Sequence, residues 1–176
     1  MFNNKYLCSI ACIAYLMINI SPALAQNEER TDRIYYSFDF LGAKLNKEIG
    51  SLDVEQRVGV RIKGGFAPFA SITVTESLYN RSSTKNYDFQ GRVGIGGAYS
   101  YAFNNKDGID ISASWQSTIG NYDFKYSQFR FLVKYEAWVL KVFRANFGIG
   151  LQHSIPYKGG FAKDGIHPCF SLGFGF

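Results

Sequence analysis

The chain has 176 residues, which fits one domain, and it is 47% hydrophobic and 17% aromatic, with 18 Gly against 4 Pro. Aromatic side chains pack well on a pleated surface, so this composition favours strands and tight turns over helices. The formal charge of +5 does not indicate a nucleic-acid partner, because no cluster of basic and aromatic residues forms such a site. An anionic membrane surface is the partner that this charge favours.

The first 25 residues are typical of a secretory signal peptide. Lys5 is the only charge in the first 27 residues, and an apolar run follows over 6–20. The run ends at a Ser-Pro pair and a small-x-small pattern, so we expect cleavage between Ala25 and Gln26. An uncleaved anchor helix is the alternative, but the run falls short of the about 20 residues that a membrane span needs.

The mature chain is then expected to begin with a short periplasmic segment, 26–33. Cys169 is the one cysteine that lies outside the predicted signal peptide. The mature chain therefore cannot form an internal disulfide, and another feature has to supply its stability.

From residue 34 onward, apolar and polar residues alternate with a period of two, which indicates strands with one apolar face. Eight such segments follow one another, at 34–40, 54–62, 70–75, 89–103, 109–116, 128–136, 143–152 and 169–176. Their number and length match tilted membrane-spanning strands. We therefore predict an all-β fold: an eight-stranded antiparallel transmembrane up-and-down β-barrel over 34–176, preceded by the cleaved signal peptide.

The connections between these segments are predicted to differ at the two ends of the barrel. Those after the second, fourth and sixth segments look short, whereas those after the first, third and seventh look longer and polar. Outer-membrane barrels have short periplasmic turns and longer outer loops. Both chain ends are therefore expected in the periplasm.

The composition of the polar face distinguishes a membrane barrel, whose apolar face points outward, from a soluble barrel, whose polar face points outward. A soluble exterior should be rich in Lys and Glu, but this face is mostly Gly, Ser, Ala, Asn and Gln. Small residues suit the narrow interior of an eight-stranded barrel, which side chains nearly fill. The other face is large and aromatic on every segment except the third. We expect that face to contact outer-membrane lipid, which places the protein in the bacterial outer membrane.

The end of the chain has apolar residues at alternate positions up to a terminal Phe: Phe170, Leu172, Phe174 and Phe176. This pattern resembles the C-terminal assembly signal of outer-membrane barrels. Glycine-aromatic strands at 91–99 and 147–151 add to it, so residues 34–176 resemble the opacity-protein family of small surface barrels. The resemblance implies a surface barrel whose last strand, with Phe176, contacts the outer-membrane assembly machinery. The modest first and second outer loops argue against the adhesive role of some relatives.

Charged residues on the interior face form the candidate site. They are Asp39, Glu55, Asp110 and Glu136 with Arg57, Arg61, Arg92, Arg130, Lys134 and Arg144. Two interpretations are open, a narrow pore that prefers anions and a salt-bridged plug, and the narrow barrel favours the plug. We predict that Asp39 lies opposite Gly59 and diagonal to Arg57 and Arg61, and that Glu136 lies opposite Arg144.

We predict no catalytic residues, metal or cofactor. His153 and Ser154 are adjacent, so strand alternation points them to opposite faces and prevents a nucleophile-base pair. His153, His167 and Tyr157 flank the last outer loop, and two histidines without tight spacing are weak evidence for metal or haem. The expected function is a structural or surface-exposed outer-membrane protein that is not an enzyme. The alternatives are a binder of an extracellular ligand, host surface or haem, a narrow channel, and a lipid A-modifying hydrolase.

Overall fold

The computed structural model describes residues 34–44, 49–62, 65–79, 88–103, 107–120, 125–140, 143–158 and 165–175. They form eight strands: β1 Ile34–Lys44, β2 Ile49–Val60, β3 Phe66–Tyr79, β4 Asp88–Ala102, β5 Asp107–Ile119, β6 Lys125–Leu140, β7 Phe143–Lys158 and β8 Gly165–Gly175. Each strand pairs antiparallel with the next, and β8 pairs with β1, which closes the barrel. The predicted eight-stranded up-and-down barrel is confirmed.

Alternation of side chains divides every strand between an interior and an outward face. On β5, interior positions such as Asp110 and Ser112 are buried, and outward positions such as Ile111 and Trp115 are exposed. Ile95, on the outward face of β4, is 71% exposed. The apolar face therefore points outward, as the composition of the polar face predicted.

The three connections 61–65, 103–106 and 141–142 lie at the end where β1 begins and β8 ends, called here the turn end. The connections 45–48, 80–87, 120–124 and 159–164 lie at the other end, called here the loop end. The prediction that the first connection is long was wrong, because β1 and β2 continue to pair as far as Lys44 and Gly50. No helix in the described part of the chain is long and apolar enough to cross a membrane.

The predicted register of two hairpins was also wrong, although the face assignment was right. Asp39 lies opposite Glu55 rather than Gly59, because the first connection is centred near residue 47 rather than 49. Glu136 lies opposite Asn146 rather than Arg144, and a register shift between Trp138 and Leu140 separates this pair from the turn. Both errors are shifts by an even number of residues, which keep each side chain on its predicted face.

Apolar residues also occupy part of the interior. Tyr35, Ala67, Phe69 and Ala98 form one buried cluster, and Leu41, Leu132 and Cys169 form another. Leu132 is the residue that broke the alternation of the sixth predicted segment, and it is completely buried. The interior is therefore packed with apolar as well as charged side chains.

Candidate functional site: the interior ion network

Eight charged side chains meet inside the barrel, and we call them the interior network. They are Asp39, Asp53, Glu55, Arg57, Arg92, Asp110, Arg130 and Lys134, and none is more than 1% exposed. They come from β1, β2, β4, β5 and β6, where strand alternation turns each of them inward. Burial of so many charges requires that each be paired.

The loop-end half of the network is built around Asp53. Its Oδ2 accepts from Nη2 of Arg92 at 2.6 Å and from Nη2 of Arg130. Arg130 also donates through Nη1 to Oε2 of Glu55 at 2.6 Å. Arg130 therefore joins two carboxylates that lie two residues apart on the same face of β2.

The network continues toward the turn end through Arg57 and Lys134. Arg57 donates through Nε to Oε1 of Glu55 at 2.9 Å. Nε of Arg57 also lies 4.0 Å from Oδ2 of Asp39. Nζ of Lys134 lies 3.2 Å from Oδ2 of Asp39 and 3.9 Å from Oδ1 of Asp110. Each of these two cations thus lies between two carboxylates.

The interior network is electrically neutral, with four carboxylates set against four cations. Neutral side chains add further hydrogen bonds to it. Gln116 donates to Glu55 at 2.7 Å, and the amide oxygens of Gln128 and Gln152 accept from Arg92 and Arg130 at 3.0 and 3.1 Å. Such an interior gives a permeating anion no excess of positive charge, so the geometry favours the plug interpretation over the pore.

A second group of charges lies at the turn end. Nη1 of Arg144 donates to Oε2 of Glu136 at 2.7 Å, and its guanidinium lies 4.5 Å from the ring centre of Trp138. Arg61, just beyond β2, donates to Ser100 at 3.0 Å and lies 5.3 Å from the ring centre of Tyr35. Burial, together with the nearby positive charge of Arg144, lowers the pKa of the Arg61 guanidinium from its usual value.

The structure divides the predicted charged residues into these two groups. Asp39, Arg57, Arg92 and Arg130 belong to the interior network, whereas Arg61, Glu136 and Arg144 lie at the turn end. Of the two arginines predicted diagonal to Asp39, only Arg57 lies at that position. The sequence analysis missed Asp53, because the second segment was begun at Val54, although Asp53 shares the alternation of Glu55 and Arg57.

The histidines do not form a joint site in the structure. His153 is on the outward face of β7 and its neighbour Ser154 is completely buried on the interior face, as strand alternation predicted. His167 lies opposite Gln152, on the interior face of β8. His153 and His167 therefore point to opposite sides of the sheet and cannot share a metal or haem.

The C-terminal residues are only partly within the described structure. Phe170 and Leu172 lie outward, at 54% and 53% exposed, and the ring of Phe174 lies 5.5 Å from that of Phe143 and 5.0 Å from that of Phe38. Phe176 lies outside the described residues, as do Ala25, Gln26 and the rest of the predicted signal peptide.

No protein-family model matches the chain, and no curated protein matches its sequence. Among solved structures, the barrel is similar to the crystal structure of Neisserial surface protein A, with a TM-score of 0.50 and 13% sequence identity. The match covers 81% of this chain and 94% of that one. At this identity the likeness establishes the fold alone. Membership of the opacity-protein family stays a prediction.

Proposed function

We propose that this chain is an integral outer-membrane protein of a Gram-negative bacterium, with a structural or surface role and no catalytic activity. The observation that carries the proposal is the inverted distribution of side chains. Ile95 is 71% exposed on the outward face, whereas Lys134 and Arg92 are completely buried inside. In water this arrangement would expose a large apolar patch to solvent, which is unfavourable. In a bilayer the apolar band faces hydrocarbon, and the closed barrel pairs its backbone groups.

The neutral interior network supports a structural role over a channel. Its buried side chains extend along the lumen from Arg92 near the loop end to Asp110 near the turn end. An ion that crossed would have to separate paired, desolvated groups, because eight-stranded barrels leave little free interior space. A surface role would then depend on the outer loops, where binding residues tend to lie on a rigid scaffold.

Export and assembly follow as further parts of the proposal. We propose that signal peptidase removes residues 1–25 and that 26–33 remain in the periplasm. The alternating residues Phe170, Leu172, Phe174 and Phe176 would bind the outer-membrane assembly machinery. Two of them, Phe170 and Leu172, are exposed on the outward face, which supports this role.

Fluorescence quenching tests the membrane location directly, because the chain has only two tryptophans. Trp115 lies outward on β5 at 45% exposed, whereas Trp138 lies against Arg144 at the turn end. In a Trp138→Phe variant refolded into liposomes, acyl chains brominated near their middle should quench the remaining Trp115. The matched Trp115→Phe variant should be quenched less. If the brominated lipid does not quench the fluorescence of Trp115, the proposal is rejected.

A further inference from the structure

The pairing of β1 with β8 closes the barrel, and among the described residues it is the shortest of the eight strand pairings. It joins Ser37–Ala43 to Cys169–Gly175, seven residues on each strand, and we call these residues the closing seam. The pairing of β8 with β7 joins Arg144–Ser154 to Gly165–Gly175, eleven residues on each strand. Every other pair joins at least as many. Fewer residues therefore contribute backbone hydrogen bonds to the closing seam.

The strand β8 adds no charge to the interior network. Its sequence, Gly165–Gly175, contains no Asp, Glu, Lys or Arg. The interior network joins side chains of β1, β2, β4, β5 and β6, so none of its ion pairs holds β8 in place. Pro168 has no N–H to donate, and proline within a sheet is typical of edge positions. We infer that β8 depends on backbone pairing and apolar contacts for its position.

Apolar contacts cover both faces of the closing seam in its loop-end half. On the outward face, Gly42 lies directly opposite Phe170, and a Cβ at Gly42 would overlap the Phe170 ring. On the interior face, Cys169 packs with Leu41 and Leu132. These contacts involve one ring and a small buried cluster, so little has to be broken to separate the strands here.

The turn-end half of the closing seam is held by more contacts. The rings of Phe38 and Phe174 lie 5.0 Å apart across it, and the ring of Phe143 lies 5.5 Å from that of Phe174. Asp39 belongs to the same half, and its Oδ2 lies 3.2 Å from Nζ of Lys134 on β6. The two halves of the seam should therefore differ in stability.

We propose that the closing seam is a lateral gate, in which β8 separates from β1 in the loop-end half while it stays paired with β7. Local openings occur where few contacts have to be broken. The opening is partial and transient, because the turn-end half stays paired and keeps the barrel closed. It connects the lumen sideways with the surrounding lipid or detergent and exposes Cys169. The inference goes beyond the proposed function and does not rest on the membrane location.

Thiol labelling of Cys169 in the refolded full chain, in detergent micelles, tests the opening. Cys169 is buried, and it is the only cysteine left after Cys8→Ser and Cys12→Ser. The matched control carries Cys169→Ser and Ser114→Cys, which moves the thiol to a buried interior position on β5, three strands from β8.

A maleimide should label Cys169 in the folded protein about tenfold faster than the thiol at position 114, because local openings differ widely in free energy. In urea the two thiols should react at the same rate. Equal rates in the folded proteins would overturn the proposal, since they would mean that Cys169 is exposed only when the whole barrel unfolds.

Substitutions at the contact of Phe170 with Gly42 test the position of the gate. Phe170→Ala removes the ring and Gly42→Ala displaces it, so each should raise the labelling rate of Cys169 severalfold. The thiol at position 114 should not respond. Phe147→Ala is the matched control, because Phe147 is 55% exposed on the outward face of β7, against 54% for Phe170. An equal rise for Phe147→Ala, or no rise for either seam variant, would contradict the proposal.

The labelling and the quenching of Trp115 separate the two proposals. Slow labelling of Cys169 in micelles would reject the gate and would not bear on the membrane location. Unquenched Trp115 in liposomes would reject the membrane location and would leave the gate intact.

Discussion

At the residue scale, the interior carboxylates should differ in how much each contributes to the stability of the barrel. Asp39 is completely buried and lies close to two cations, 3.2 Å from Nζ of Lys134 and 4.0 Å from Nε of Arg57. Glu136 is 7% exposed and forms an ion pair with Arg144 at 2.7 Å. Breaking a buried ion pair costs about 3–5 kcal/mol, because it leaves an uncompensated charge. We therefore expect Asp39→Ala to lower the free energy of unfolding more than Glu136→Ala does.

Urea unfolding of both variants in detergent micelles measures this difference. Asp39→Asn serves as a control, since it keeps the size of the side chain and removes only its charge. Equal losses for Asp39→Ala and Glu136→Ala would show that burial and the number of cations do not set the cost.

The two arginines that form ion pairs with Asp53 should also differ in how much they stabilise the barrel. Among the residues that the structure describes, Arg92 forms an ion pair with Asp53, whereas Arg130 forms ion pairs with both Asp53 and Glu55. Arg130→Met therefore weakens the pairing of two carboxylates, and we expect it to destabilise the barrel more than Arg92→Met. The same urea titration measures both variants, and a larger loss for Arg92→Met would contradict the assigned geometry.

Individual residues show where sequence reasoning reaches its limit. The period of two was enough to place Asp39, Arg57, Arg92 and Arg130 on one face, because alternation depends only on the strand. It could not identify the partner of Arg92, since the bond to Asp53 crosses the lumen and depends on how the sheet curves.

At the element scale, interior glycines make room for the long side chains of the network. A Cβ built on Gly148 of β7 would lie 2.5 Å from Cγ of Lys134 and 2.7 Å from Oγ of Ser171. At Gly50, on β2, the nearest atom would be at an ordinary 3.7 Å. Overpacking typically costs about 1–3 kcal/mol, so Gly148→Ala should destabilise the barrel by this amount and Gly50→Ala should have little effect.

Unfolding titrations of these two glycine variants are a direct comparison of crowded and open positions. A Gly148→Ala variant as stable as Gly50→Ala would mean that Lys134 can move aside without cost. In that case the ion pair of Lys134 with Asp39 would not be fixed by packing.

The strands show a similar division between what the sequence predicts and what it leaves open. All eight were predicted, because each has enough alternating residues to indicate a face. Their ends were less well predicted: β3 was expected over 70–75 and extends over Phe66–Tyr79. The register between β1 and β2 was set by an assumed loop centre, and no residue pair in the sequence marks that centre uniquely.

At the scale of the whole molecule, barrel closure should be visible in electrophoresis. A closed barrel has no free strand edge at which detergent can begin to separate the sheet. The unboiled protein in dodecyl sulfate should therefore migrate differently from the boiled protein. Identical mobilities, with a known barrel shifting on the same gel, would count against a closed, detergent-resistant barrel.

The paired charges in the lumen lead to a separate prediction about conductance. Because the eight charges of the interior network are paired and buried, the protein should add no steady single-channel steps to a planar bilayer. A matched protein with both Asp53→Ser and Arg130→Ser, which removes side-chain volume while keeping the interior neutral, should conduct more than wild type. Steady single-channel steps from the wild-type protein would instead support a narrow channel.

The charges of the interior network are also distributed unevenly along the chain. The first hairpin, β1 and β2, contributes Asp39, Asp53, Glu55 and Arg57, a net charge of −2, whereas β4 to β6 contribute Arg92, Asp110, Arg130 and Lys134, a net +2. The bonds between these halves join residues 39 to 95 positions apart. Such distant contacts form late, since long loops must close before they are made. We therefore expect the attraction between these two oppositely charged parts of the chain to favour closure of the barrel late in folding.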